Sequence, residues 1–318
     1  MSDRSWYACV GVTLTWLIGG VICSASPVHA QSPGTSRWGA NDQRGAANLL
    51  TSAKVLEAVG LIRTGDVYML GRPFEAGMPF FSNRSYRIRT YGQGSAPVGK
   101  NLLTVHAEFI ESELGQVGTQ FDGLGHMGVG DLFYNRFDRR EFATDTGLTK
   151  LGVENAGVFI TRGLLLDVAS LQGVARLEAG YEITSSDLRG ALRQHNLEIR
   201  TGDAVLIHTG WGSLWKIDND RFAGDKPGLG AEGARFLATQ EISILGTDAW
   251  GPDVMPFRDP EVLFPAHQVL LAHNGIYIVE NLDTSALVQD GVYEFAFICT
   301  PLPLKGASGS PVNPIAVR

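Results

Sequence analysis

Apolar and polar positions follow two rhythms along this chain. Five stretches are apolar almost throughout: residues 157–169 (GVFITRGLLLDVA), 202–212 (GDAVLIHTGWG), 241–251 (EISILGTDAWG), 276–282 (IYIVENL) and 291–302 (GVYEFAFICTPL). Each is short and rich in β-branched or aromatic residues, which predicts buried strands. Residues 65–70 (GDVYML), 84–91 (RSYRIRTY) and 101–110 (NLLTVHAEFI) predict further strands, the last running into the segment that follows it. Helical spacing governs residues 51–62, 184–196, 231–240 and 265–275. Thr51 or Ser52 caps the first of these, and Asn274-Gly275 stops the last. Strands outnumber helices, and several precede the first helix–strand alternation. The pattern predicts a mixed, sheet-rich α/β fold rather than a doubly wound one. No Pro/Ser/Gly-rich break divides it, so residues 45–318 form one domain.

The beginning of the chain follows neither rhythm. Arg4 precedes an apolar run from Trp6 to Cys23, and Val28-His29-Ala30 is a small-x-small cleavage signal. Residues 1–30 are expected to be a secretory signal peptide, which places the mature protein in the periplasm or outside the cell. The alternative is an uncleaved anchor, since about 18 apolar residues just span a bilayer. Cleavage would leave Cys299 as the sole thiol, with no internal disulfide. Residues 31–44, opening on QSPGTS, read as a flexible leader. A net charge of −7 argues against nucleic acid or an anionic membrane as partner for the mature form.

Chemistry concentrates in residues 115–128, GQVGTQFDGLGHMG. If the chain is extended up to Asp122, then Gln116, Gln120 and Asp122 share a face, with small Gly118 between them. Beyond lies His126. Two later residues complete a donor set: His267 on an expected helix and Glu280 at the end of an expected strand. Asp122, His267 and Glu280 would give one imidazole and two carboxylates, suited to Zn or Mn with positions left open for water. On spacing alone, an Asp-x3-His pair is more often a local hydrogen bond than half a metal site. His106 shares a strand face with Thr104 and Glu108 and could supply a further imidazole. Asp248 and Asp253 flank Trp250, where they could hold loop amides or contact substrate. Trp211, Trp250, Phe121 and His208 are candidate substrate contacts, since they lie at or near strand ends. Simple core packing is the alternative for each aromatic.

The segment resembles the signature of the cyclase-like metal hydrolases, the family of bacterial kynurenine formamidase and isatin hydrolase, whose pattern is His-x-Gly-Thr-His-x-Asp-x-x-x-His. Here the residues run Gln116-Val117-Gly118-Thr119-Gln120-Phe121-Asp122-Gly123-Leu124-Gly125-His126. Further similar stretches are GDAVLIHTGWG, HQVLLAHNGIYIVENL and PLKGASGSPVNPIAV, in the right order. The resemblance implies a swivelling β/β/α-like fold, a homo-oligomer, and water-dependent cleavage of amides or lactones. It implies Asp122, His267 and Glu280 as metal ligands and His126 as the proton donor and acceptor. Gln116 and Gln120 stand where that pattern has histidine ligands. One divalent ion, Zn or Mn, is therefore expected rather than two, with Gln120 and Gln116 as weak additional ligands or as amide donors to water or substrate.

No Gly-x-Ser-x-Gly elbow and no Gly-x-Gly-x-x-Gly opening a helix after a strand is present, so neither a serine nucleophile nor a dinucleotide is supported. The sequence thus predicts a metal-dependent hydrolase for a small cyclic amide, lactone or N-acyl aromatic compound. Two alternatives stay open: a lyase or cyclase using the same ion, and a non-catalytic periplasmic binding protein.

Overall fold

A computed structural model describes residues 31–92 and 94–318; the expected signal peptide lies outside the described residues. The central feature is a nine-stranded sheet. In chain order its strands are β1 (Val67–Met69), β2 (Gln120–Asp122), β3 (Phe159–Asp167), β4 (Ala204–His208), β5 (Ile244–Thr247), β6 (Tyr277–Glu280), β7 (Glu294–Cys299), β8 (Gly309–Pro311) and β9 (Ile315–Val317). Their spatial order is β1-β9-β7-β3-β4-β5-β6-β2-β8. The middle four, β3-β4-β5-β6, are parallel. Every pairing outside them is antiparallel. The sheet is therefore mixed, as the run of strands before the first helix–strand alternation implied. The parallel strands are covered on both faces, which is why their sequences are nearly continuous apolar runs.

Helices form where the spacing predicts them. Ser52–Val59 starts on Thr51, whose side chain accepts from the Lys54 amide. Ser185–Gln194 starts on a reciprocal capping box between Thr184 and Asp187. Ala231–Thr239 packs beside it. The stretch 265–273 is one regular turn, Pro265–His267, followed by a wider π-helical turn, Gln268–His273. Such wide turns occur often at functional sites.

Two expectations need correction. The predicted strand over 101–110 does not run into the chemical segment. It shortens to Ala107–Ser112, which pairs only with Tyr86–Tyr91 as a separate, largely exposed two-stranded hairpin. Gly115 lies so close to Gly309 that a Cβ there would be 2.5 Å from its carbonyl oxygen, and Gly118 adopts φ +63°. The chain therefore turns between the hairpin and β2 instead of staying extended. His106 sits on this exposed arm and supplies no ligand. The second correction concerns residues 31–44, which are tied down rather than free. Asn135 accepts from the Ser36 amide (2.7 Å), and the Tyr134 hydroxyl donates to Asp42 (2.7 Å).

Candidate metal centre

Strand register assembles the site. Antiparallel pairing sets Gln120 opposite Glu280 and Asp122 opposite Ile278. Residues two apart share a face of a strand, so Gln120 and Asp122 both turn towards the Glu280 side. Phe121, between them, must point the other way. It packs in the core, with ring centres 5.1 Å from Tyr277 and 5.5 Å from Phe159. Phe121 is fully buried there, and the expectation that it touches substrate is corrected by the two-residue period itself.

The turn at Pro265–His267 delivers the imidazole. His267 Nε2 lies 3.3 Å from Glu280 Oε1 and 3.8 Å from Asp122 Oδ2. Asp122, His267 and Glu280 thus converge from three separate segments. His126 joins them: donor atoms of Asp122, His126 and His267 all lie within 4.8 Å of one another. The sequence reading separated His126 from the ligands, whereas the geometry puts its ring within reach of the same point.

Asp253 orients His267. Its carboxylate lies 2.5 Å from His267 Nδ1 and accepts from the Ala266 amide at 2.6 Å. Of its two sequence-level roles, Asp253 therefore takes the first and holds backbone amides at a helix start. It also fixes the ring so that Nε2 faces the acids. This carboxylate–histidine arrangement is the usual outer support of a metal-bound imidazole. We expect Asp253→Asn to weaken divalent-metal affinity about 10–100-fold, read by competition with a chromophoric chelator. Unchanged affinity would remove Asp253 from the site.

The glutamines do not present oxygen to this centre. Gln120 donates from Nε2 to Glu280 Oε2 (3.0 Å) and Asp122 Oδ1 (3.4 Å). Gln116 Nε2 reaches Asp122 Oδ1 (3.4 Å) and His126 Nδ1 (3.3 Å), while its Oε1 accepts from Arg84 at 3.3 Å. Both amides therefore brace the carboxylates as donors, which corrects their assignment as ligands.

Burial opposes charge on every acid here, but partners decide the outcome. Asp122 is driven up by desolvation, yet His126 and His267 outweigh that and leave it below the ordinary carboxylate value. Glu280 is pushed up by burial and by the charge of Asp122. Burial lowers His126, favouring its neutral form. Burial alone would also lower His267; the carboxylates of Asp253, Asp122 and Glu280 instead raise it well above 6.5.

One atom in this cluster has no partner. Asp122 Oδ2 is buried and accepts no hydrogen bond among the described residues. An orphaned carboxylate oxygen facing an imidazole is costly unless a cation takes it. Gly251, at φ +67°, borders the same space: a Cβ there would come within 3.3 Å of His267 Cε1 and 3.5 Å of Glu280 Oε1. The donor set of N and O atoms and this glycine-bounded space fit a first-row divalent ion.

The other expected substrate contacts diverge. Trp250 borders a small cavity over the site with Phe81, Arg84, Gln116, Gln120 and Glu280. Trp211 is fully buried behind it and donates to the Phe222 carbonyl (3.1 Å). His208 lies beside Thr284 (2.7 Å) and Asp248 (3.5 Å), away from the residues that border the cavity. Neither Trp211 nor His208 lines this cavity, so both assignments are corrected. Sequence reasoning missed Phe81, Arg84 and Lys226. Phe81 and Arg84 precede the chemical segment by about thirty residues, and nothing local marks them. Lys226 is fully buried, with Nζ donating to the Gly251 carbonyl at 2.8 Å and to the Asp253 carbonyl. Burial lowers its pKa to about 8.

Residues 68–254 match the family model described as "Putative cyclase", and the chain belongs to that family. A solved structure of a novel cyclase is 31% identical, with a TM-score of 0.82 over 90% of this chain and 98% of that one. The rice (Oryza sativa subsp. japonica) cyclase-like protein 3 is 31% identical over 158 residues, 48% of this chain. The chain spans about half the length of that curated relative, 53% of it. Isatin hydrolase A from Labrenzia aggregata, solved with benzyl benzoate, shares the fold at 20% identity and TM-score 0.59, covering 84% of this chain and 98% of that one.

Proposed function

We propose that the protein is a metal-dependent hydrolase that opens a cyclic amide or lactone, or cleaves an N-acyl aromatic compound. The observation that carries this is the unpartnered Asp122 Oδ2 set 3.8 Å from His267 Nε2. Asp122, His267 and Glu280 would hold one divalent ion, Zn or Mn. When bound, that ion would polarise a carbonyl and make water a better nucleophile at neutral pH. Cyclase-family membership and the isatin hydrolase fold support the reaction class.

The protein's own groups supply positioning and proton transfer. Gln120 and Gln116 fix both carboxylates by donating to them. Gln116 Nε2 lies 3.3 Å from His126 Nδ1 and holds the ring in place. His126 is low in pKa and neutral at pH 7, so it can take a proton from water and return it to the leaving nitrogen or oxygen. His126→Gln should keep about one metal per chain while turnover falls by about a hundredfold or more. Metal content and single-turnover rates on a panel of lactones and anilides check this. Loss of metal with the activity would make His126 a ligand; unchanged turnover would remove it from the mechanism.

A further inference from the structure

The cavity over the metal centre holds about 10 Å³ of open space. That is room for about one water, whereas small-molecule pockets run to roughly 300–1,000 Å³. A strap, residues 79–84, fills the difference. Phe81 on this strap lies face to face with Trp250, with ring centres 4.0 Å apart and planes 17° from parallel. Arg84 latches the strap by donating to the Gln116 carbonyl (2.9 Å) and to Gln116 Oε1 (3.3 Å).

The two halves of this stack are held very differently. Trp250 follows β5 and is only 6% exposed. Its neighbour Gly251 is pinned by buried Lys226, whose Nζ also lies 4.9 Å from the Trp250 ring centre. Among the described residues, no backbone–backbone hydrogen bond ties residues 79–84. The strap is held by side chains alone, which marks it as the part that can move. Trp250 carries a second signal: its indole Nε1 is buried without an acceptor among the described residues. A buried N–H without a partner fits a ligand that brings an acceptor.

The geometry points to Phe81 as a built-in occupant of the substrate's ring position, which a flat aromatic ring bearing a carbonyl must displace from Trp250. This deepens the hydrolase reading and rests on it for the substrate's carbonyl chemistry. It makes Phe81 a specificity-determining residue. Only a ligand that restores the lost stack recovers what opening costs, so aliphatic amides of the same reactivity are disfavoured. The apparent affinity is reduced by the fraction of chains whose strap is open.

The test uses acetanilide and N-methylacetamide as probes, titrated calorimetrically into metal-free protein, so that it does not depend on turnover. A stack of this kind is worth a factor of about three to ten. Phe81→Ala and Arg84→Ala should each bind acetanilide about three- to tenfold more tightly than wild type. N-methylacetamide, which has the amide but no ring to stack on Trp250, should bind more weakly than acetanilide to all three. Phe81 and Arg84 are only partly buried, so the variants should unfold close to wild type, which thermal melts verify. Equal or weaker acetanilide binding by Phe81→Ala, or no binding to any form, overturns the proposal. Tighter acetanilide binding by Phe81→Ala, in a metal-loaded protein that hydrolyses nothing, would uphold the gate and refute the hydrolase.

Discussion

Asp122→Asn is expected to lower divalent-metal affinity more than a hundredfold and to abolish turnover. The reasoning starts from strand register. β2 contributes only three residues, Gln120–Asp122, and pairing with β6 and β8 on both sides leaves it no freedom to shift. Asp122 is wholly buried, and its Oδ2 accepts no hydrogen bond among the described residues. Asparagine keeps the shape and removes the charge. Loss of outer-sphere partners alone costs metal sites about 10–100-fold, and losing an anionic ligand costs more. The fold should survive, because the change removes a buried charge that one lone pair leaves unsatisfied. Metal-free variant and wild type should therefore melt within a few degrees of each other. Addition of Zn at about a hundred times its Kd should stabilise only the wild type, by about 2.7 kcal/mol. A variant stabilised equally by Zn would refute the ligand role.

The second large effect lies far from the chemistry. Asp203, just before β4, is fully buried. It takes Lys54 Nζ at 2.5 Å on one oxygen and Arg162 Nη2 at 3.0 Å on the other. It also accepts from the Arg200 amide at 2.8 Å. This knot fastens helix Ser52–Val59 and strand β3 to the start of β4. Asp203→Asn leaves two buried cations short of a counter-charge. Breaking buried pairs costs about 3–5 kcal/mol, and the lower end applies here. Lys54 keeps Glu57 at 3.0 Å, and Arg162 keeps Glu294 at 2.7 Å. The midpoint of thermal unfolding should fall by on the order of 10 °C. Adding Lys54→Met to Asp203→Asn should recover part of the loss by removing a stranded cation. A single variant as stable as wild type would show the knot to be ornamental.

How far the chain could be read in advance follows from the range of each signal. The parallel strands announced themselves because burial on both faces leaves unbroken apolar runs, as in Leu164–Leu166 and Ile276–Val279. Helix starts were visible where Thr51 and Thr184 cap them. Asp122, His267 and Glu280 could be singled out by donor chemistry and by resemblance; the register of β2 against β6 brings the two acids together, and the turn Pro265–His267 adds the imidazole. The same register explains the error at Phe121: a strand of three residues gives too short an alternation to reveal which face is inward. The fate of residues 101–110 depended on Gly115 meeting Gly309, a contact between positions nearly two hundred apart. The glutamines' orientation was equally hidden. Whether an amide shows its oxygen or its N–H depends on neighbours such as Arg84, which no spacing rule brings near. Trp211 and Trp250 both follow strand ends, yet Trp250 borders the cavity while Trp211 is fully buried, a difference that spacing along the chain does not reveal.

The most direct measurement is an anomalous difference map from crystals of the Zn- or Mn-loaded protein, recorded across the metal's absorption edge. A single peak per chain, about 2.0–2.2 Å from both an Asp122 oxygen and His267 Nε2, is the expected result. A map without a peak there, or with the ion bound only elsewhere on the chain, would contradict the metal centre.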